Sequence, residues 1–185
     1  MKAMEEASER QRRAPRRPRS QEFLRVREAR ESDVGAMVDL LGHLFKQEAE
    51  FSPSPAKQRR AIELLLAQPT LGRLFVLSRG TRVLGMVSLL FTVSTAEGGK
   101  AAWLEDLVVL PDQRGKGLGT RLLRGTIDWA HRHGLTRITL LTDSDNLGAR
   151  GLYLRHGFVA SAMQPLRLHL GRRAAAVPTT LSLLA

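Results

Sequence analysis

The stretch that decides the fold is residues 105–123, Glu-Asp-Leu-Val-Val-Leu-Pro-Asp-Gln-Arg-Gly-Lys-Gly-Leu-Gly-Thr-Arg-Leu-Leu. Its apolar first part predicts a strand that ends at Leu110, before Pro111, and its second part predicts a helix that begins near Gly117. Glycines in the connecting loop let a ligand approach bare backbone, and the start of a helix presents unpaired N–H groups and a positive dipole end. The stretch therefore predicts a cradle for an anion such as a pyrophosphate.

The spacing of the glycines distinguishes this loop from other phosphate-binding loops. A P-loop requires Gly-x-x-x-x-Gly-Lys-Ser/Thr, and a dinucleotide-binding fold requires Gly-x-Gly-x-x-Gly. Gly115, Gly117 and Gly119 alternate along the chain and match neither pattern. What the loop does match is Arg-x-x-Gly-x-Gly, filled by Arg114, Gly117 and Gly119. Taken alone, it could also be an ordinary turn into a helix.

A second patterned segment lies downstream, at residues 145–158. Its sequence, Asp-Asn-Leu-Gly-Ala-Arg-Gly-Leu-Tyr-Leu-Arg-His-Gly-Phe, fits Asn-x-x-Ala-x-x-Leu-Tyr-x-x-x-Gly-Phe at every named position. Placed between a strand and a helix, the glycine loop resembles motif A of the GNAT superfamily of acyl-CoA-dependent N-acetyltransferases. The second segment resembles a downstream motif of the same family. The resemblance covers roughly residues 23–170 and leaves both ends of the chain outside it.

The periodicity of the chain predicts an α/β domain with a mixed sheet and helices on both faces. Strands are predicted near residues 23–26, 74–77, 83–93, 101–110, 137–142 (a buried strand), 158–162 and 166–170. Helices are predicted from Ser32 or Asp33, around Ile62, from Gly117, and from Asp145 or Asn146, and the turn at residues 78–81 predicts a β-hairpin. The resemblance implies a GNAT-like, mostly antiparallel sheet that is splayed at the cofactor site. We predict a domain over residues 21–170, between a disordered basic tail at 1–20 and a C-terminal tail at 171–185.

The composition, 43% hydrophobic and 25% charged, is typical of a soluble globular protein, and no apolar run is long enough to span a membrane. The chain has no cysteine, which excludes a disulfide framework and a cysteinyl acyl intermediate and favours a reducing, cytoplasmic location. The net charge of +11 suits a ligand with several phosphates. Nucleic-acid binding is not expected, because the sequence lacks RNA-type aromatics and a recognisable helix-turn-helix. No histidine cluster has the spacing of metal ligands, so no metal is expected.

Acetyl-CoA is the co-substrate that the resemblance implies. In the family its pantetheine arm lies between the strand at residues 101–110 and the strand at 137–142, and pairs with exposed backbone. The loop amides hold the pyrophosphate, Asn146 bonds to the pantetheine arm, and Tyr153 stands beside the sulfur. The cofactor-binding residues so implied are Leu107, Val108, Val109, Arg114, Gly115, Lys116, Gly117, Leu118, Gly119, Thr120, Asn146 and Tyr153.

Attack of an amine on a thioester requires two proton transfers, because the amine must lose a proton and the departing thiolate must gain one. By the resemblance, Glu105 is the base, directly or through water, and Tyr153, with a reference pKa of about 10, is the acid. Asp106 is the alternative base. Strand alternation predicts that Asp106 points to the face opposite Glu105, so that only one of the two lines a given cleft. Both carboxylates could instead pair with the basic surface, and Tyr153 could instead fill the core.

The acceptor is predicted only by class, as a small-molecule amine that carries positive charge. Candidate substrate residues are Glu48, Glu50 and Phe51 where the first two helices meet, Trp103 on the Glu105 face, and Asp106. Solvated helix-end charges are the alternative interpretation of the two glutamates. Two function classes follow, an N-acetyltransferase that transfers directly to a primary amine and an acyl-CoA-binding sensor without turnover. The resemblance also allows a homodimer, since dimers are frequent in the family.

Overall fold

The computed structural model of the protein describes residues 23–47, 52–168 and 170. The predicted tails at 1–20 and 171–185 lie outside the described residues, as do Glu48, Glu50 and Phe51. The predicted domain boundaries and the role of these three residues therefore stay predictions.

Nine regular elements follow one another in the described part. They are β1 (Leu24–Glu28), α1 (Val34–Phe45), α2 (Pro55–Ala67), β2 (Gly72–Arg79), β3 (Arg82–Ser94), β4 (Gly99–Val109), α3 (Leu118–Arg132), β5 (Ile138–Leu140) and α4 (Leu147–Leu154). Short 3₁₀ turns at Glu31–Asp33 and Pro111–Gln113 precede α1 and follow β4. The predicted α/β class is confirmed.

The five strands form one sheet in the order β1-β2-β3-β4-β5. The first four are antiparallel neighbours, and β5 pairs in parallel with β4. Strands β2 and β3 form the predicted hairpin, closed by the two-residue turn Gly80-Thr81, in which Gly80 has a φ of 57°. The sheet is mostly antiparallel, as predicted.

Helices cover both faces of the sheet. The core beneath α3 includes Phe75, Leu77, Leu89, Leu104, Leu122 and Leu123. The core beneath α1 and α2 includes Met37, Leu40, Ile62, Val76, Met86 and Val108. These residues recur at helical spacing in the helices and alternate in the strands, so β2, β3 and β4 each contribute side chains to both cores.

An ion pair fastens the start of α1 to β1. Both guanidinium nitrogens of Arg27 donate to the Asp33 carboxylate, at 2.7 and 2.9 Å, and the Arg30 backbone N–H donates to it at 2.8 Å. The hydrogen bond from Arg27 is the main reason that the pKa of Asp33 lies below its ordinary value. A lowered carboxyl pKa stabilises the folded state above the unfolded pKa, and this contribution is lost as the pH falls through the folded pKa. Asp33, one of the two predicted caps, is the N-cap residue of α1, although its side chain makes no capping hydrogen bond to the helix.

The strands predicted at residues 158–162 and 166–170 are not found among the described residues. Residues 158–168 contain no strand, and beyond Phe158 their large apolar side chains are exposed, with Val159 at 87% and Leu166 at 95%. Alternation alone does not make a strand, which needs a pairing partner, and none of the five strands of the described residues pairs with this segment. Strand β5 was predicted to be buried, yet Ile138 and Leu140 are half-buried and Leu141 is exposed, because β5 is an edge strand.

Gln58, on α2, carries a buried amide that pairs with none of the described residues. The residue is 6% exposed, and neither side-chain Oε1 nor Nε2 has a hydrogen-bond partner among the described residues. Burying an unpaired amide costs about 1–3 kcal/mol. We expect Gln58→Met to raise the free energy of unfolding by about that amount, measured by urea denaturation. Gln68→Met, at an exposed position just beyond the same helix, should leave it unchanged.

A loss of stability in Gln58→Met would contradict this expectation. It would mean that the amide has a partner in solution, such as an ordered water molecule.

Candidate active site

Strand β4 separates from β5 halfway along its length. The two strands pair at Ala102↔Ile138, Trp103↔Thr139 and Leu104↔Leu140. From residue 105 to 109, β4 continues without a β5 partner in the described part of the chain. At about 3.3 Å per residue, this opens roughly 16 Å of strand edge to an extended ligand. The predicted splay is confirmed.

The open strand edge leads into the glycine loop. Gly115 and Gly117 both have a φ of 72°, in the left-handed region that other residues adopt only at a cost. Nothing lies within 4 Å of the positions that their Cβ atoms would occupy, so a ligand can approach these amides. Gly117 is the N-cap of α3, which begins at Leu118 as predicted. This arrangement fits a pyrophosphate group.

The basic side chains of the loop are held by the loop and by residues of the adjoining elements. The Arg114 guanidinium donates to the Val109 carbonyl at 3.2 Å and to Gln47 Oε1, at the end of α1, at 3.0 Å. The Lys116 ammonium donates to the Asp112 carbonyl at 2.8 Å. Both cations therefore stay close to the cradle. The side chains of Leu118, Val108 and Val109 are buried in the core, so these residues can offer a ligand only their backbone groups.

Helix α4 borders the loop. A Cβ atom on Gly119 would lie 3.8 Å from Leu152 of α4 and 4.0 Å from Val109 of β4, so the first turn of α3 sits between these elements. Tyr153 packs against the core beneath α3, and burial raises the pKa of its phenol. Asn146 is the N-cap of α4, and its Oδ1 accepts from the Ala149 N–H at 3.1 Å. Its side-chain N–H₂ remains as the group that could reach a ligand.

Glu105 lies on the face of β4 opposite α3. Its neighbour Leu104 packs in the core beneath α3, so Glu105 points to the side of α1 and α2. Glu105 is exposed by surface area, yet nearby protein atoms partly desolvate its carboxyl and raise its pKa above the ordinary value for glutamate. Trp103 shares this face and is 39% exposed, so it borders the site rather than filling the core.

The prediction that Asp106 points away from Glu105 is wrong, because β4 contains a β-bulge. Met86 pairs with Val108 and Ser88 pairs with Glu105, so two residues of β4 oppose the single residue Val87. Asp106 has a φ of 54°, and its Oδ2 lies 3.3 Å from the hydroxyl of Ser88. Alternation breaks at this residue, and the Asp106 carboxylate reaches the face on which Glu105 lies.

One feature of the surface beside the loop was not predicted. An open depression of about 490 Å³ begins at the glycine loop and runs between α3 and β1, lined by Val26, Gly117, Thr120, Arg121, Arg124, Gly125 and Asp128. The Arg121 guanidinium donates to the Leu24 carbonyl of β1 at 2.6 Å. The sequence contains one sign of this depression, because Arg121 and Arg124 lie three residues apart and therefore share a face of α3. The sequence does not show, however, that β1 lines the opposite side of the depression.

Within the described residues, no group of three His, Asp or Glu side chains is arranged to hold a metal ion. No helix in the same part of the chain combines the length and apolarity needed to cross a membrane.

Comparison with known proteins identifies the family. The model of the acetyltransferase (GNAT) family matches residues 37–158. An uncharacterized N-acetyltransferase of Bacillus subtilis, YhfO, is 31% identical over 137 residues, which are 73% of this chain and 89% of the relative. The thialysine N-epsilon-acetyltransferase of Mus musculus is 30% identical over an alignment of 145 residues, which covers 70% of this chain and 80% of the relative.

A solved structure agrees with the fold. The predicted acetyltransferase of Clostridium acetobutylicum, solved with acetyl-CoA, has a TM-score of 0.65 and 19% identity, covering 80% of this chain and 97% of its own. That similarity concerns the fold alone. The family model and the two relatives show that this chain belongs to the GNAT family of acetyltransferases and is an acyltransferase.

Proposed function

We propose that the protein transfers the acetyl group of acetyl-CoA directly to a primary amine of a small, cationic acceptor. The observation that carries the proposal is the open edge of β4, which leads from Glu105 to the glycine loop. A phosphorylated ligand with an extended arm fits this path, with its pyrophosphate on the loop amides and its arm along residues 105–109. Acetyl-CoA supplies the activated acetyl group when bound there.

Two side chains of the site suit the proton transfers. Glu105 and Tyr153 lie on opposite sides of β4, with the open gap beside them, so an amine and a leaving thiolate could each meet one of them. Glu105 would accept the proton of the amine, and its raised pKa makes it a stronger base than an ordinary glutamate. The Tyr153 phenol, whose pKa is raised by burial, is protonated at neutral pH and so has a proton to donate to the thiolate.

The cationic character of the acceptor is inferred from the acids on the acceptor face. Glu105 and Asp106 both reach the side of the sheet that lies opposite α3, and two carboxylates favour an ammonium group nearby. The similarity to a thialysine acetyltransferase supports an amine of this kind. Glu48 and Phe51 keep the weaker role of candidate acceptor contacts.

The experiment that tests the function is an amine panel scored by release of coenzyme A. The panel should contain thialysine, a polyamine, an amino sugar and an amino acid, with binding of acetyl-CoA measured in parallel by calorimetry. Turnover with a cationic amine is the expected result. Tight binding of acetyl-CoA without turnover of any amine would favour the sensor without turnover, which is the second candidate function.

The depression between α3 and β1 supports a prediction about the cofactor. Coenzyme A carries a third phosphate besides its pyrophosphate, and Arg124 lines the depression that starts at the loop. One exposed charge-assisted contact contributes about 0.5–1.5 kcal/mol, so Arg124→Ala should weaken acetyl-CoA binding by about threefold to tenfold. Calorimetry with acetyl-dephospho-CoA, which lacks that phosphate, should show no difference between the variant and the wild type.

Arg132→Ala is the matched control, because Arg132 lies in the last turn of the same helix and donates to the Asp128 carbonyl. It should leave both affinities unchanged. Equal losses for the two cofactor forms in Arg124→Ala would contradict the assignment of the third phosphate to this depression.

A further inference from the structure

Asp106 is held in a backbone conformation that needs support. Among the described residues it is the one that has a positive φ without being glycine. Such a conformation costs about 1–3 kcal/mol and persists only where the surrounding structure enforces it. The residue stands in the bulge of β4, immediately after Glu105 and two residues beyond the last pairing with β5.

Ser88, on β3, contacts both Glu105 and Asp106, the two residues joined by the peptide bond at the bulge. Its side chain is buried, with 1% of the residue exposed. The hydroxyl lies 3.0 Å from the Glu105 carbonyl oxygen and 3.3 Å from Asp106 Oδ2. A carbonyl and a carboxylate can only accept, so the single proton of the hydroxyl serves two acceptors. The serine therefore connects the backbone of Glu105 to the side chain of Asp106.

The bulge decides which side chains face the acceptor. Leu104 and Val109 pack in the core beneath α3, whereas Val108 packs beneath α1 and α2. Without the extra residue, strict alternation from Leu104 would place both Asp106 and Val108 in the apolar core beneath α3. A buried carboxylate without a partner is costly there. The bulge avoids this cost and keeps the carboxylates of Glu105 and Asp106 on one side.

Ser88 itself lies on that side. Its neighbours Val87 and Leu89 both pack in the core beneath α3, so Ser88 points in the opposite direction, towards the face of Glu105. It is also the residue that pairs with Glu105 across the two strands. A change at Ser88 therefore acts on the orientation of Glu105 without removing any group that could touch acetyl-CoA at the glycine loop.

We propose that Ser88 is a positioning residue for acetyl transfer, whose hydroxyl holds the β4 bulge and so orients the carboxyl groups of Glu105 and Asp106 towards the acceptor amine. The proposal rests on the proposed function of Glu105 as the base. Ser88 does not touch the reacting atoms, and it acts through the peptide and side chain that it connects. The bulge is thereby a part of the acceptor site and not only an irregularity of the sheet.

The kinetic test compares Ser88→Ala, Ser88→Thr and Ser94→Ala in the full chain, with acetyl-CoA and thialysine as the probe amine. Ser88→Ala should lower kcat by about tenfold, the size expected for one buried hydrogen bond, and leave KM for acetyl-CoA unchanged. It should also move the acidic limb of the pH–rate profile. Ser88→Thr keeps the hydroxyl and should restore the wild-type profile.

Ser94→Ala is the matched control, since Ser94 is a second buried serine of β3 whose Oγ accepts from the Glu97 N–H at 3.2 Å, away from the bulge. It should leave kcat and the profile unchanged. A wild-type kcat and acidic limb in folded Ser88→Ala would overturn the proposal.

A second measurement does not depend on turnover. In protein labelled with ¹³C at the glutamate carboxyl carbon, Ser88→Ala should move the titration midpoint of the Glu105 resonance, which is assigned by its loss in Glu105→Gln. An unmoved midpoint would overturn the role of Ser88 even if no amine in the panel reacted. A moved midpoint together with an absence of turnover would leave the orientation by Ser88 standing and count against the proposed acetyl transfer.

Discussion

Glu105→Gln should lose most of the acetyl-transfer rate near neutral pH, by about 100- to 10,000-fold, the range of general-base contributions. A base works only when deprotonated, so the wild-type rate should fall as the pH drops through the pKa of Glu105. Because that pKa is raised, the fall should begin at a higher pH than for an ordinary glutamate. The glutamine variant should lack this acidic limb. Part of its activity should return at high pH, where more of the amine is already neutral.

The measurement is a pH profile of kcat/KM, with circular dichroism to show that each variant is folded. Glu97→Gln is the matched control, because Glu97 lies in the turn that leads into β4 and pairs with Arg137 at 3.5 Å, on the exposed surface. It should keep the wild-type profile. If Glu105→Gln kept that profile while Asp106→Asn lost the acidic limb, the role of base would pass to Asp106, which the bulge brings to the same face.

Gly117→Glu should abolish most acetyl-CoA binding while the domain stays folded. A Cβ atom at this position meets nothing within 4 Å, so the fold accommodates it apart from the backbone cost at a φ of 72°. The new carboxylate, however, would stand over the amides proposed to hold the pyrophosphate and would repel it. Losing two charge-assisted hydrogen bonds of about 1.5 kcal/mol each corresponds to roughly a 100-fold weaker affinity, measured by calorimetry.

Gly134→Glu separates backbone strain from ligand binding. Gly134 ends α3, has a φ of 67° and is equally free of neighbours within 4 Å of its Cβ position. The two substitutions should therefore lower stability by similar amounts, but only the one at Gly117 should weaken acetyl-CoA binding. An unchanged affinity in folded Gly117→Glu would contradict the placement of the pyrophosphate on this loop.

The local structures that were predicted correctly follow from local rules. The glycine loop needs residues that tolerate a positive φ, and α3 begins immediately after Gly117. Asn146 caps α4 through its own side chain, three residues from the N–H that it accepts. The hairpin between β2 and β3 closes at Gly80. In each case the cause and its effect lie within a few residues of each other, so the sequence contains the whole argument.

The features of the structure that were not predicted depend on pairing and packing between segments that are far apart in the sequence. Asp106 faces Ser88 because the register of β3 and β4 shifts by one residue, and alternation within β4 contains no sign of the shift. The gap opens after Leu104 because β5 ends there, and residues 158–168 remain without strands because nothing in the described chain pairs with them. Arg124 lines a depression only because α3 packs beside β1. By itself the sequence determined the family, the glycine loop before α3 and the order of the elements as far as α4, since these follow from local conformation and residue type. Only the tertiary structure decided where the strands part and which carboxylates share a face, because hydrogen-bond register depends on contacts between residues far apart in the chain.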